Sequence, residues 1–435
     1  MVETHFRMKR YGVCLLAAAL LGPLVAAVQL AQAQTLTTLY NFTGGADGGS
    51  PFSTLVKDKQ GNLYGTTFAG GNVQGNCNYD FNNGTGCGTV FELTPSGKNW
   101  SYRVIYSFQG YPNDGGNPQY EPLVFDKSGN LYGTTILGGD LTCLPGPPGC
   151  GTVFELTPSE NGWTDTLLYK FTWVDNDGAF PSPGLVFDKK GNLYGTTFNG
   201  GAHGYGAVYQ ITPSGTRNEI YGFMNQANGG GPYGGVVLDK KGNLYGATSS
   251  GGSTECSGGC GTVFKIAPDG TETVLYSFTG GSDGIWPWGG VTLDKYGNIY
   301  GTTSEGGNTE CGGVGCGTVF KIAPDGTETI LHRFTYSQDN YSEGASPRSS
   351  LVLDAKGNLY GTTYLGGSSH FGSGCGTVFK IAPDGTETIL HDFNYSDGFA
   401  PWGLMLKSGT LYGTTESGGA YSWGTVFRLS TNKSK

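Results

Sequence analysis

The 435-residue sequence predicts an all-β fold, and three observations support this prediction. First, the chain contains 79 glycines, 26 tyrosines and 23 phenylalanines, whereas charged residues make up only 14%. This composition disfavours helices and suits short aromatic strands joined by tight turns. Second, one pattern of strands and turns recurs seven times. Third, the two ends of the chain carry complementary parts of that pattern. Together these observations predict a seven-bladed β-propeller with four-stranded antiparallel blades.

Each repeat contains four short predicted strands. An apolar stretch leads through a Gly-Asn turn to a second strand that begins Leu-Tyr-Gly or, once, Ile-Tyr-Gly. A Gly-Gly pair and a variable loop precede a third strand, typically Gly-Thr-Val-Phe, and a turn such as Pro-Asp-Gly precedes the fourth. These turns favour antiparallel hairpins, and such units bury both apolar faces when they stack radially. The second strands begin at Leu63, Leu131, Leu193, Leu244, Ile299, Leu359 and Leu411.

The two ends of the repeat region predict how the ring closes. The last repeat stops after its third strand at Leu429, whereas residues 36–42 read as an isolated fourth strand, Leu-Thr-Thr-Leu-Tyr-Asn-Phe. We therefore expect six complete units and one split unit, in which the N-terminal strand completes the last blade. The predicted propeller occupies residues 34–435.

Residues 1–33 have the features of a secretory signal peptide. Three basic residues precede an apolar stretch over residues 13–28, and an Ala-Gln-Ala cleavage site ends at Ala33. An uncleaved membrane anchor is the alternative, but Gly22 interrupts a run that is already short for a bilayer span. We expect cleavage, no remaining transmembrane anchor, and a secreted or periplasmic protein.

Nine cysteines remain after this cleavage, and eight of them form close pairs in the sequence. Each pair lies in one loop between the second and third strands of a repeat, which predicts local disulfides in an oxidising compartment. The alternative is a metal site, but only five histidines occur in the chain. The ninth cysteine, Cys375, occurs in a loop that lacks the first cysteine of the pair. The predicted disulfides are Cys77–Cys87, Cys143–Cys150, Cys256–Cys260 and Cys311–Cys316.

The repeated elements resemble a known family. Gly-Asn-Leu-Tyr-Gly-Thr-Thr, Gly-Gly and Gly-Thr-Val-Phe are similar to the GloVer tandem repeat of exported bacterial proteins with varied C-terminal anchors. The similarity covers the whole predicted mature chain. It implies an exported or surface protein and implies no agreed biochemical activity. Because residues 431–435 contain no sorting tail or apolar anchor, we expect release rather than surface attachment.

The connections between repeats supply a first set of candidate site residues. Each connection has the pattern acidic residue or Asn, Gly, x, x, Pro. A ring of carboxylates would suit Ca²⁺, which prefers oxygen ligands. Turn capping by the acidic side chains is the favoured alternative, because one carboxylate per blade does not form a multidentate cage. The candidate calcium ligands are Asp47, Asp114, Asp177, Asp283 and Asp397.

Aromatic residues beside the connecting prolines supply a second set. If the first strand of each repeat is innermost, the cysteine loops and the connections share one face with the mouth of a central channel. Aromatic side chains there would stack on sugar rings or other flat apolar groups. Packing where the blades converge is the alternative and favoured interpretation. The candidate ligand-binding residues are Trp286, Trp288, Trp402, Tyr233 and Arg348.

Charge and motifs favour a binding protein over an enzyme. Without residues 1–33 the chain has 22 basic and 33 acidic residues, a net charge near −11, and no basic run, so we expect no nucleic-acid partner. The sequence contains no phosphate loop, Gly-x-Ser-x-Gly or His-Glu-x-x-His motif, and we assign no catalytic residue. We expect a monomeric binding or scaffold module for a polysaccharide or an envelope partner. It requires no cofactor, and Ca²⁺ is a candidate ion.

Two alternative functions remain open from the sequence. The first is a carbohydrate-active enzyme of glycosidase or lyase type on a propeller scaffold. Such an enzyme should have a polar cluster near the channel mouth that departs from the sevenfold pattern, and Arg348 and Glu343 are the conspicuous departures. The second is an architectural envelope protein that assembles with copies of itself, with Cys375 as a candidate link.

Overall fold

The computed structural model describes residues 35–431 except 73, 76, 78–85, 119, 121, 142, 144–148, 161, 336–342 and 368–373. The proposed signal peptide lies outside the described residues and stays a prediction. The described part of the chain forms β-strands and one short 3₁₀ turn, Cys311–Gly313. No helix in this part is long and apolar enough to cross a membrane.

The strands form seven four-stranded antiparallel sheets, and each sheet is one blade of a propeller, as predicted. Two further short strands, β6 (Gly115–Gly116) and β9 (Leu137–Gly138), pair with each other. Blades I to III contain β2 (Val56–Lys57), β3 (Leu63–Thr67), β4 (Thr89–Ser96) and β5 (Asn99–Ser107); β7 (Val124–Phe125), β8 (Leu131–Thr135), β10 (Thr152–Ser159) and β11 (Gly162–Lys170); and β12 (Gly178–Phe187), β13 (Leu193–Gly200), β14 (Ala207–Ile211) and β15 (Arg217–Gly222). Blades IV to VI contain β16 (Val237–Leu238), β17 (Leu244–Thr248), β18 (Thr262–Ile266) and β19 (Glu272–Ser277); β20 (Thr292–Leu293), β21 (Ile299–Thr303), β22 (Thr318–Ile322) and β23 (Glu328–Arg333); and β24 (Val352–Leu353), β25 (Leu359–Thr363), β26 (Thr377–Ile381) and β27 (Glu387–Asp392). Blade VII contains β28 (Phe399–Lys407), β29 (Thr410–Ser417), β30 (Thr425–Ser430) and β1 (Leu36–Asn41).

Blade VII is the split blade that the chain ends predict. Strand β1 is its outermost strand and pairs antiparallel with β30, from Leu36 opposite Leu429 to Asn41 opposite Thr425. The first strand of the chain therefore completes a sheet whose other three strands come from its end. This pairing closes the ring through backbone hydrogen bonds and satisfies an edge that β30 would otherwise expose.

The hydrophobic core lies between neighbouring blades. At every interface a phenylalanine that follows the outer strand of one blade packs edge-on against an aromatic ring from the third strand of the next. The ring centroids are 5.0–5.3 Å apart in all seven pairs, which explains why each repeat has an aromatic residue at both positions. The pairs are Phe42–Phe91, Phe108–Phe154, Phe171–Tyr209, Phe223–Phe264, Phe278–Phe320, Phe334–Phe379 and Phe393–Phe427.

The same rings explain the glycine of the Leu-Tyr-Gly element. Gly301 on β21 lies opposite Phe320 on β22, and a Cβ atom at Gly301 would lie 2.5 Å from the tip of that ring. The other six repeats have the same arrangement. Only a residue without a side chain leaves room for the ring to cross its neighbouring strand.

The first strand of each blade lies nearest the axis of the ring. First-strand segments of neighbouring blades contact each other directly; for example, the Ser182 hydroxyl donates a hydrogen bond to the Pro232 carbonyl at 2.6 Å. Because successive strands are antiparallel, the Gly-Asn and Pro-Asp-Gly hairpins lie on one face. The loops between second and third strands and the connections between blades lie on the other, which we call the loop face.

Candidate ligand-binding site at the channel mouth

Four loops on the loop face contain disulfides. The bonds join the cysteine pairs expected from the sequence, in blades I, II, IV and V. Cys375 lies in the corresponding loop of blade VI, where it is only 3% exposed. The disulfides cross-link these loops on the loop face, and loops on a rigid scaffold are a common position for binding residues.

The prolines that end the connections form the contacts between these loops and the blades. Each proline packs against the glycine that begins the third strand of the preceding blade; a Cβ atom at Gly88, for example, would lie 2.9 Å from the Pro118 ring. Gly88 has a φ of +86°, a conformation that favours glycine. The contact recurs at all seven connections and holds the residues after each proline at the channel mouth.

Aromatic residues from five connections meet across this mouth. Trp402, which is 5% exposed, donates a hydrogen bond from Nε1 to the Tyr120 carbonyl at 2.9 Å, although the two residues belong to blades two positions apart. The ring of Phe52 lies 5.9 Å from that of Trp402, and Tyr120 lies 5.3 Å from Tyr233. Tyr233 in turn stacks on Trp288 at 4.6 Å. We call Phe52, Tyr120, Tyr233, Trp288 and Trp402 the aromatic floor.

The structure brings together four of the five candidate ligand-binding residues. Tyr233, Trp288 and Trp402 belong to the floor, and the Arg348 guanidinium lies 4.9 Å from the centre of the Trp288 ring. Trp286 stands apart. Its indole is 37% exposed, and no ring contact within the described part of the chain joins it to the floor. The sequence reasoning missed Tyr120, which lies two residues after its proline rather than one.

A polar cluster lies at one edge of the floor and departs from the sevenfold pattern. Arg348 lies 4.3 Å from the centre of the Tyr364 ring, and the Tyr364 hydroxyl bonds the Glu416 carboxylate. Burial raises the pKa of Glu416 to about 7, although the bond from Tyr364 and the charge of Arg348 act in the opposite direction. Burial also raises the pKa of Glu305. The residues equivalent to Glu416 in the other blades are Phe68, Ile136, Phe198, Ser249, Ser304 and Tyr364.

Glu343 does not belong to this cluster, contrary to the expectation from the sequence. Its carboxylate accepts hydrogen bonds from the backbone N–H and the hydroxyl of Thr335, beside the outer strand of blade V. The acidic residue of a connection faces the outer strand, whereas the residue after the proline faces the axis. Glu343 and Arg348 therefore lie at opposite ends of the same connection.

The five candidate calcium ligands occupy the same outer position as Glu343. Each accepts a hydrogen bond from a side chain on the outer strand of its blade, at 2.9–3.2 Å. Each also accepts one from a backbone N–H at the start of its connection, at 2.7–3.0 Å. These are the bonds of capped turns. The side-chain donors for Asp47, Asp114, Asp177, Asp283 and Asp397 are Tyr40, Tyr106, Tyr169, Tyr276 and His391.

A second acidic residue joins this position at several interfaces, which the sequence reasoning did not anticipate. It comes from the beginning of the outer strand of the next blade. Burial and the nearby charge of Asp114 raise the pKa of Asp165 to about 7. Burial and the nearby charge of Asp283 likewise raise the pKa of Glu328 to about 7. At the interface of blades II and III the corresponding residue is Arg217, 3.6 Å from Asp177. The repeated Thr-Glu-Thr sequences were the available signal.

Comparison with known proteins identifies related repeats. A model of the Gloeobacter/Verrucomicrobia repeat family matches residues 75–315, 141–374 and 253–435. This result confirms the family resemblance inferred from the repeated elements. No curated protein matches the sequence.

Solved structures show the same fold at low sequence identity. Two structures of an extracellular domain from B. thetaiotaomicron, described as part of a hybrid two-component system and of a one-component system, match with TM-scores of 0.54 and 0.53, at 13% and 12% identity. They cover 92% and 93% of this chain, which spans only 40% of each of those chains. A gluconolactonase from Xanthomonas campestris matches at 15% identity over 70% of this chain and 83% of its own, with a TM-score of 0.39 that supports no functional comparison. The TM-scores of the two extracellular-domain structures indicate a shared fold, and this likeness does not select a function.

Proposed function

The chain belongs to the Gloeobacter/Verrucomicrobia repeat family, and we propose that it is an exported, non-enzymatic protein that binds a polysaccharide on the aromatic floor. The observation that carries the proposal is the floor itself. Five aromatic residues from five connections meet across the mouth of the channel, on a scaffold whose other faces repeat with little variation. Four of the five residues are half-buried, and partly exposed aromatic rings suit the flat apolar faces of sugar rings.

The charges beside the floor support a saccharide ligand over other classes. Arg348 lies between the rings of Trp288 and Tyr364, so its guanidinium is held in place by two cation–π contacts. Such a fixed fork donates hydrogen bonds to hydroxyl or carboxylate oxygens at the edge of a bound sugar. The acidic composition disfavours nucleic acid. Four disulfides support an oxidising, extracytoplasmic location.

A glycan and envelope-component screen on the purified protein tests the proposal. For a polysaccharide that binds, we expect Trp288→Ala or Tyr233→Ala to weaken binding about tenfold or more, because each removes a stacked ring. Trp286→Ala is the matched control, since this exposed tryptophan lies outside the floor, and it should bind as wild type. Equal binding by all three folded variants would contradict the proposed site. Trp402 is unsuitable as a first probe because it is buried and its indole is hydrogen-bonded to the Tyr120 carbonyl, so its removal would also disturb the floor.

Calcium is not required in this proposal. The carboxylates of the five candidate aspartates already accept hydrogen bonds from their own turns, which supports a structural role for these residues. We therefore expect added Ca²⁺ to leave glycan binding and the melting temperature unchanged. A marked rise in melting temperature that Asp283→Asn abolishes would contradict this expectation.

A carbohydrate-active enzyme remains the second candidate, and the polar cluster is the observation that favours it. Glu416 has a pKa near neutrality at the channel mouth, which suits a proton donor to a glycosidic oxygen. Incubation of the bound polysaccharide with the protein, followed by assay for new reducing ends and unsaturated products, tests this function. Products that disappear with Glu416→Gln would replace the binding proposal with the enzymatic one.

A further inference from the structure

The interface between blades V and VI differs from the other blade interfaces in its ligand-forming side chains. In most blades a tyrosine hydroxyl on the outer strand donates a hydrogen bond to the acidic residue of the connection. Blade V has His332 in place of that tyrosine, Glu343 as the acidic residue and Glu387 at the start of the outer strand of blade VI. These three side chains come from two blades and from the connection that joins them.

Their ligand atoms converge on one point. One nitrogen or oxygen from each residue lies within 4.8 Å of the others, and Nε2 of His332 is 3.6 Å from Oε2 of Glu387. In a tetrahedral site with zinc bonds of 2.0–2.1 Å, neighbouring ligand atoms are about 3.4 Å apart. The hydrogen bonds from Thr335 hold the Glu343 carboxylate from its other side, as outer-shell donors do in metal sites. Only small side-chain adjustments would form three bonds to one ion.

Two atoms of the cluster also lack hydrogen-bond partners. Nε2 of His332 and Oε1 of Glu387 are buried and have no hydrogen-bond partner within the described part of the chain. In the tautomer protonated at Nδ1, the Nε2 atom of His332 is an acceptor, as are the oxygens of an ionised carboxylate, so the electron pairs of Nε2 and of Glu387 Oε1 are buried without a donor. A positive ion between these atoms would satisfy both, and leaving them unpaired is unfavourable.

We infer that His332, Glu343 and Glu387 form a binding site for a divalent transition-metal ion of the zinc class, which links blades V and VI. The imidazole ligand selects against Ca²⁺ and Mg²⁺, whose sites are built from oxygen atoms. Three protein ligands leave a fourth position for water. This inference does not depend on glycan binding, because the site lies beside the outer strands and the aromatic floor lies at the axis.

The next interface in the ring provides an internal control. His391 occupies the same position in blade VI, with its Nε2 3.1 Å from Asp397. The residue that corresponds to Glu387 there is Leu36, at the start of β1, so only two ligand groups are present. His332 should therefore contribute to metal binding, whereas His391 should not.

Isothermal titration of the chelator-treated protein with Zn²⁺, and with Co²⁺ followed by its visible absorption, tests the inference. We expect one Zn²⁺ per chain and a higher melting temperature with zinc than without it. His332→Tyr should weaken binding about a hundredfold or more. It should still fold, because tyrosine occupies this position in five blades. Glu387→Gln should also weaken binding, and His391→Tyr should bind zinc as wild type does.

Three results would overturn the site. The first is a wild-type protein that binds no zinc at neutral pH. The second is a folded His332→Tyr variant with unchanged affinity. The third is an equal loss of affinity in His332→Tyr and His391→Tyr, which would place the ion elsewhere.

Discussion

Replacing Glu416 with glutamine should stabilise the propeller at pH 8 and change its stability little near pH 4. Burial raises the pKa of this carboxyl group from 4.5 to about 7 in the folded protein. Folding therefore favours the neutral form, and the stability that it contributes is fully present below pH 4.5 and is lost as the pH rises through 7. Glutamine retains the shape of the side chain and carries no charge at either pH.

The structure sets the size of the effect. Because a tenfold change in an acidity constant corresponds to about 1.4 kcal/mol, charging Glu416 costs about 3 kcal/mol more in the folded protein than in the unfolded chain. The side chain retains some contact with solvent, which reduces the expected gain from Glu416→Gln at pH 8 to about 2 kcal/mol. The bond from Tyr364 survives, since an amide oxygen also accepts it.

Urea unfolding at pH 4, 6 and 8 measures this gain. Other buried acids, such as Glu328 and Asp165, affect wild type and variant alike, so the difference in the free energy of unfolding isolates position 416. Glu160→Gln, at an exposed hairpin, is the matched control and should show no pH-dependent difference. If Glu416→Gln changes stability equally at pH 4 and pH 8, the carboxyl group is not held neutral and the reasoning is wrong.

Three further predictions concern the repeat itself. Tyr209 is the one tyrosine among the seven third-strand rings, and its buried hydroxyl has no hydrogen-bond partner within the described residues. Tyr209→Phe should therefore raise the free energy of unfolding by about 1–2 kcal/mol, and Phe264→Tyr should lower it. Urea titration measures both changes, and a destabilised Tyr209→Phe variant would contradict the conclusion that this hydroxyl is unpaired. Gly301→Ala should lower the free energy of unfolding of the propeller by about 1–3 kcal/mol, because the added methyl group would collide with the Phe320 ring. Thermal unfolding that matches wild type would show that the ring moves aside freely. Deletion of the residues up to Asn41 should abolish the single cooperative unfolding transition, because blade VII would lose its outer strand. Circular dichroism on heating measures the transition, and an unchanged transition would show that ring closure does not depend on β1.

The sequence was sufficient for the architecture because each blade is encoded locally. The Gly-Asn hairpins, the Leu-Tyr-Gly strands and the incomplete last repeat lie within short segments, and their count predicted seven blades and the pairing of β1 with β30. The contacts between blades were harder to predict. Glu328 meets Asp283 only because the outer strand of blade V packs beside the connection that precedes the blade, and their separation in sequence indicates nothing about this proximity.

The channel mouth was predicted in part for a related reason. Equivalence between repeats placed Tyr233, Trp288 and Trp402 at the mouth, and the structure brings their rings together. Tyr120 was missed because it lies one residue beyond the equivalent position and has a φ of +77°, a conformation that repeat alignment does not anticipate. Glu416 was missed because it lies near the end of a second strand, at a position where the other blades have apolar, aromatic or serine residues.

Departures from the sevenfold pattern are concentrated around blade VI. Arg348 and Glu343 lie in the connection that leads to its first strand, and Tyr364, which follows its second strand, bonds Glu416 of blade VII. His332 belongs to the outer strand of blade V, whereas Glu387 repeats the glutamate found in blades IV and V. A scaffold of seven similar units has no structural need for residues that differ from the repeat in one region. The other blade interfaces are packed by the residues that the repeats share. We therefore expect ligand binding at the mouth and metal binding at the outer rim to depend on residues of the connection between blades V and VI. Replacing Arg348, Glu343 and His332 by the residues that occupy the equivalent positions in other blades should weaken both activities while the propeller still folds.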